Sequence, residues 1–158
     1  MPTVKENLAL QNFLPYRLTK LSGIISRSLA ERYSRQFDLS IHEWRVVAIL
    51  GEQPGLTARE VGELASLDKV NISRAIEKLE KTGRLRRKVM VRDRRSFALH
   101  LTKSGGEILK KIMPLALDFE EKLLDSLTKD EIDSLHDILD RLDIRADELV
   151  NLMKAGGN

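Results

Sequence analysis

The chain has 158 residues, 42% apolar and 32% charged, with 27 Lys and Arg against 24 Asp and Glu and no cysteine. That length fits one domain with arms and a real core, and the lack of Cys excludes a disulfide scaffold, a thiol redox sensor and a thiolate metal site. No apolar run approaches the ~20 residues that span a bilayer, and residues 1–11 lack the apolar stretch of a secretory leader, so the expectation is a soluble, cytoplasmic protein without membrane partner, metal or cofactor.

Leu14, Leu18, Leu21 and Ile25 follow helical spacing, and Leu10 and Leu29 extend the stripe, predicting a first helix over about 10–36. Ser40 with Glu43 is a capping-box pattern that opens a second helix through Trp44, Val47, Ala48 and Leu50, stopped by Gly51 and Pro54-Gly55. Thr57 with Glu60 opens a short third helix, and Asp68 caps a fourth that ends near Gly83. Ala65-Ser66-Leu67 joins these two tightly, which is helix-turn-helix spacing, with Gly62 and Ala65 small enough for close approach.

After Gly83 the period falls to two. Leu85, Arg87, Val89 and Val91 alternate with Arg86, Lys88 and Met90; Phe97, Leu99 and Leu101 alternate with Ala98 and His100. These predict a hairpin with 92–96 as its tip. Ser104 with Glu107 predicts the cap of a fifth helix, with Pro114 inside it, and Thr128 with Glu131 that of a sixth. The fold class is mainly α with a small β-wing: a winged helix-turn-helix plus long terminal helices. The expected organisation is an N-terminal helix over 1–38, the winged helix-turn-helix over 39–103, C-terminal helices over 104–154, and a disordered tail at 155–158.

Charge is segregated along the chain. Residues 69–103 hold 12 basic and 3 acidic side chains, whereas 118–150 hold 12 acidic and 4 basic. The first block concentrates positive potential suited to a polyanion such as DNA. On the fourth helix Ile72, Ala75, Ile76 and Leu79 share the face to be buried, leaving Val70, Arg74, Lys78 and Lys81 outward beside Asn71, Ser73 and Glu77. In a major groove Arg74 suits guanine O6 and N7, Asn71 suits adenine, Val70 a thymine methyl, and Ser73 a base or phosphate; Lys69 and Lys78 complete the candidate contacts. The hairpin tip Arg92-Asp93-Arg94-Arg95 carries three guanidinium groups suited to a narrow minor groove. Asp93 holds a neighbouring Arg through a charged hydrogen bond, stabilises its own turn, or does both.

These pieces resemble the multiple-antibiotic-resistance regulator (MarR) family of bacterial transcription factors. The resemblance covers most of the chain and is most specific over 39–105: Leu39-Ser40, Trp44 with Val46, Val47 and Leu50, Glu63-Leu64-Ala65, Asp68-Lys69, Ser73-Arg74, Leu79-Glu80-Lys81-Thr82-Gly83, Arg87, and Asp93-Arg94-Arg95-Ser96-Phe97-Ala98-Leu99-His100-Leu101-Thr102 up to Gly105. It implies a homodimer paired through the first, fifth and sixth helices, with each recognition helix in a major groove of a palindromic operator. It also implies that Arg95 enters the minor groove, held by Asp93, with Arg94 nearby and Arg87 in the same wing. Val70-Asn71 departs from the small hydroxyl residues common in the family, and Arg84 from an apolar residue. Independently, the terminal helices carry more Leu and Ile than a small winged helix covers, which calls for a partner.

The resemblance also implies a small aromatic or anionic effector, such as an aromatic acid or its coenzyme A thioester, that releases the operator; no effector at all is the open alternative. Candidate pocket residues are Tyr16, Arg17, His42 and Trp44, against readings in which Arg17 lies along a dimer surface, Trp44 packs in the core and His42 merely occupies a first helical turn. The three His share no metal-binding spacing. No phosphate loop, nucleophile elbow or zinc-protease motif is present, so no enzyme is expected. A winged-helix adaptor that binds protein through the acidic sixth helix is the alternative function.

Overall fold

The computed structural model describes residues 8–157. The segment 1–7, with most of the stretch read for a leader and the start of the N-terminal arm, lies outside the described residues, as does Asn158 of the expected tail. The chain order is a 3-10 turn (Leu10–Asn12), α1 (Leu14–Phe37), α2 (Ile41–Glu52), α3 (Ala58–Ala65), α4 (Lys69–Lys81), β1 (Leu85–Val89), β2 (Phe97–Leu101), α5 (Lys103–Leu124) and α6 (Lys129–Ala155). Among the described residues no helix is long and apolar enough to cross a membrane. Contacts divide the chain inside α5, after Pro114, into two compact units.

In the first unit α1 starts later than the leucine spacing predicts. Phe13 is extended and Pro15 stands in the first turn, where its missing N–H costs nothing. Leu10 therefore belongs to the separate 3-10 turn. Ser40 caps α2 by accepting from the Glu43 N–H at 3.2 Å. Gly51 does not stop that helix, which runs to Glu52. Its lack of a side chain serves packing instead, since a Cβ there would lie 2.2 Å from Leu109 Cδ2. Thr57 and Glu60 form a complete capping box on α3. Gly62 is less critical than its position predicts, because a Cβ would meet Ile72 at an ordinary 3.6 Å. Ser66, left-handed at φ 52°, makes the turn into α4.

Tyr33, Leu39, Val46, Val47, Leu50, Val61, Ile72, Ala75, Ile76, Leu79, Leu85, Leu99 and Ile112 form one buried core. The face predicted for α4 is the face that enters it. β1 and β2 pair antiparallel from Leu85↔Leu101 to Val89↔Phe97. The other edge of β2 is also used: Leu99 donates to Leu56 O at 2.8 Å and its carbonyl accepts from the Gly55 N–H at 2.8 Å, tying the hairpin to the segment before α3. Val91 does not continue the alternation; it lies past the strand, 98% exposed. Thr102, not Ser104, caps α5, accepting from the Gly105 N–H at 3.1 Å while its hydroxyl donates to Gly83 O at 2.6 Å. The helix begins at Lys103 because that hydroxyl is fixed by the turn after α4.

The second unit holds the end of α5 and α6. Thr128 and Glu131 cap α6 with a complete box, and its 27 residues extend about 40 Å. None of them is buried. Ala155, expected in a disordered tail, is the last helical residue, and Gly156 donates to Leu152 O at 3.0 Å.

Candidate nucleic-acid interface

The N-terminus of α4 is organised by Asp68. Its carboxylate accepts from the Asn71 N–H at 2.7 Å and the Asn71 side-chain amide at 2.9 Å. The backbone bond above all holds the carboxyl below the ordinary Asp range, with His42 a minor contributor. Asn71 thus gives one amide N–H to the cap. Val70 is 58% exposed, and Lys69, Ser73 and Arg74 are also exposed. They project from the first two turns, opposite the buried Ile72, Ala75 and Ile76.

Lys78 faces elsewhere. Its Nζ lies 3.4 Å from Glu43 Oε1 and 3.6 Å from Asp38 Oδ1. Glu43 is only 4% exposed. Instead of reaching back to the Ser40 backbone, its Oε1 accepts from Ser40 Oγ at 2.9 Å, while Oε2 is buried without a hydrogen-bond partner among the described residues. Glu43 shares a helix face with Val47 and Leu50, a spacing of four and three that placed it on the buried side. Arg84, at the base of the wing, is also engaged. Its guanidinium donates to Phe37 O at 2.7 Å and Asp38 O at 3.1 Å, closing the carbonyl end of α1.

The wing leaves α4 through Gly83, at φ 74°, with Arg84 N–H donating to Leu79 O at 2.8 Å. Arg87 donates to Glu80 Oε2 on α4 at 3.0 Å, and its guanidinium carbon lies 6.0 Å from the Phe97 ring centroid. At the tip, Ser96 N–H donates to Asp93 O and Met90 N–H to Ser96 O, at 3.0 and 3.1 Å. The Asp93 carboxylate accepts from Ser96 Oγ at 2.6 Å and the Arg95 N–H at 3.0 Å. Those bonds, the Ser96 hydroxyl first, hold its carboxyl below the ordinary range. Of the two roles read for Asp93, the turn role is the one these contacts express: it grips the Arg95 backbone, not a guanidinium. Arg94 and Arg95 are exposed at the tip.

The four candidate pocket residues are not brought together. Tyr16 and Arg17 line a groove of about 650 Å³ between the 3-10 turn and α1, with Leu10, Lys20 and Ile24. Trp44 lines a neighbouring groove of about 430 Å³ with Leu18, Ile25 and Arg45, which meets the first at Leu21, and its ring lies 5.1 Å from the buried Tyr33 ring. His42 is half-buried, its Nδ1 without a partner among the described residues.

A capped helix with an outward polar face and an arginine-tipped hairpin, both fixed to one core of helices, form a winged helix-turn-helix DNA-binding unit. The chain belongs to the MarR family, whose profile matches residues 37–96. The HTH-type transcriptional regulator BilQ of Clostridium symbiosum is 30% identical over 96 residues, 61% of this chain and 67% of that protein. A MarR/EmrR family regulator from Acinetobacter sp. ADP1 superposes with a TM-score of 0.83 at 23% identity, covering 89% of this chain and 99% of that one. A MarR family regulator from Silicibacter pomeroyi gives 0.75 at 26% identity over 84% and 88%. The protein is a DNA-binding transcriptional regulator, not an enzyme.

Proposed function

We propose that the protein acts in the cytoplasm as a homodimer on a two-fold symmetric operator, represses transcription there, and releases the DNA when a small aromatic or anionic molecule binds. In this reading Val70, Ser73 and Arg74 read base edges, Lys69 meets a phosphate, and Arg94 and Arg95 enter the minor groove on a tip organised by Asp93. Asn71 and Arg87 act from the cap and the wing base.

The observation that carries the dimer is apolar surface left open on the terminal helices. Leu14, Leu18, Leu21 and Ile24 are each 41–51% exposed along α1, and within the second unit Leu135, Ile138, Leu139 and Leu142 share one face of α6 and are each 37–49% exposed. A stripe of this length asks for a partner, and a two-fold pairing buries like against like. Support for a duplex partner comes from the Staphylococcus aureus MepR–DNA complex, which superposes with a TM-score of 0.76 at 19% identity. Support for an effector comes from PcaV of Streptomyces coelicolor, solved with its natural ligand and similar at a TM-score of 0.74 and 22% identity. Arg17 and Lys20 beside Tyr16 give the α1 groove the character an aromatic acid requires.

Sedimentation velocity tests the assembly: a dimer is expected, and truncation after Thr128 should yield monomer. A monomeric full chain would overturn this reading. Mobility shifts with aromatic acids and their coenzyme A thioesters then test release. A protein-binding adaptor would instead show no log–log salt dependence of DNA binding, where a DNA reader loses about 0.9 per phosphate neutralised.

A further inference from the structure

We infer that Lys78 is a positioning residue for DNA reading, not a DNA contact: with Glu43, Asp38 and Arg84 it locks the recognition helix and the wing base to the end of α1. The cluster joins three elements. Asp38 ends α1 in the left-handed region at φ 51°. Glu43 stands in the first turn of α2, its carboxylate all but removed from water. Lys78 comes from the third turn of α4 and bridges both acids. Two residues past the end of that helix's C-cap, Arg84 binds the Phe37 and Asp38 carbonyls.

The chemistry favours this use of the cation over a phosphate contact. Among the described residues Glu43 Oε2 has no hydrogen-bond partner, and Oε1 has Ser40 Oγ and Lys78. Moving Lys78 to a phosphate would leave a desolvated carboxylate without its counter-charge, a costly arrangement. An exposed lysine such as Lys69 reaches a phosphate with no such loss. Arg84 acts on the same end of α1, where the terminal carbonyls carry the negative pole of the helix. Two cations on the α4–wing segment therefore grip one helix terminus, and the angle at which Arg74 and Val70 meet a groove depends on both.

The test uses the full chain, the duplex it selects most tightly from a random pool, and a random duplex of equal length. Glu43→Gln, Lys78→Met and the double variant are titrated across a salt series, with thermal unfolding as a check on folding. Each single variant should weaken the selected duplex by roughly two- to thirtyfold, the range for residues that touch neither ligand. Random-duplex binding and the salt slope should stay unchanged, and the double variant should be little worse than either single one. Lys78→Arg should restore selectivity.

If Lys78 touches DNA, neutralising Glu43 frees it, and binding tightens or holds. A tighter or unchanged Glu43→Gln overturns the inference, as does a Lys78→Met salt slope reduced by about 0.9. Should Glu43→Gln not fold, Lys78→Met and Arg84→Met decide: both must lose selectivity at constant slope.

Discussion

The Asp93 carboxylate accepts the Arg95 backbone N–H at 3.0 Å, so the acid at the tip of a basic wing orients the chain that carries the arginine and leaves the guanidinium unoccupied by it. A second bond, from Ser96 Oγ, closes the same turn. Negative charge within a basic wing is tolerable when its oxygens are already engaged by the loop.

Asp93→Asn should loosen the tip and weaken operator binding without changing the fold, read by anisotropy titration and circular dichroism. The pH dependence follows from the lowered carboxyl pKa. The folded group binds its proton less readily than the unfolded one, so the turn's contribution is complete above the ordinary Asp value of about 3.9 and fades only as pH falls through the lower folded value. The Arg95 amide resonance should therefore hold constant from neutral pH to about 4 and move only below it.

Arg95→Ala should weaken binding to any duplex while the salt slope falls by about 0.9 if the guanidinium neutralises a phosphate, or keep the slope and lose preference for narrow A·T tracts if it enters the minor groove. Binding as tight as the parent's would remove the wing tip from the interface.

Arg74→Ala should relax preference at one base pair per half-site, by about 1–3 kcal/mol in discrimination. Selection from a random pool reads this directly. Unchanged preference would exclude Arg74 from base reading.

Gly105 and Gly106 are neighbours with opposite expected responses. A Cβ on Gly105 would lie 2.1 Å from the Arg84 carbonyl oxygen, whereas one on Gly106 meets nothing within 4 Å among the described residues. Gly105→Ala should destabilise the protein by about 1–3 kcal/mol, since backbone cannot yield cheaply. Gly106→Ala should stabilise it by roughly 0.5–1 kcal/mol, because α5 is helical there. Urea denaturation of the two variants checks both signs.

Most of the element order was legible in residue patterns. Thr57-Glu60 and Thr128-Glu131 form the caps they predict, because a capping box closes on itself within four residues. The period of α4 placed Ile72, Ala75, Ile76 and Leu79 inward. Ser40-Glu43 had the same spelling but only half the outcome, since Glu43 also lay on the stripe that Val47 and Leu50 carry into the core. Ser104 lost its cap to Thr102, whose hydroxyl was already bound to Gly83 from the far end of the hairpin.

Local chemistry, then, was enough to specify helices, hairpin and a basic stretch, because caps, periodicity and charge act over a few residues. Which of its cations stay free was settled by distant partners. Lys78 found Glu43 and Asp38, Arg84 found the carbonyls of Phe37 and Asp38, and Arg87 found Glu80, while Arg74 and Arg95 project outward with no partner among the described residues. A guanidinium or ammonium group reads alike in any sequence; only folding brings a carboxylate or a helix end within its reach.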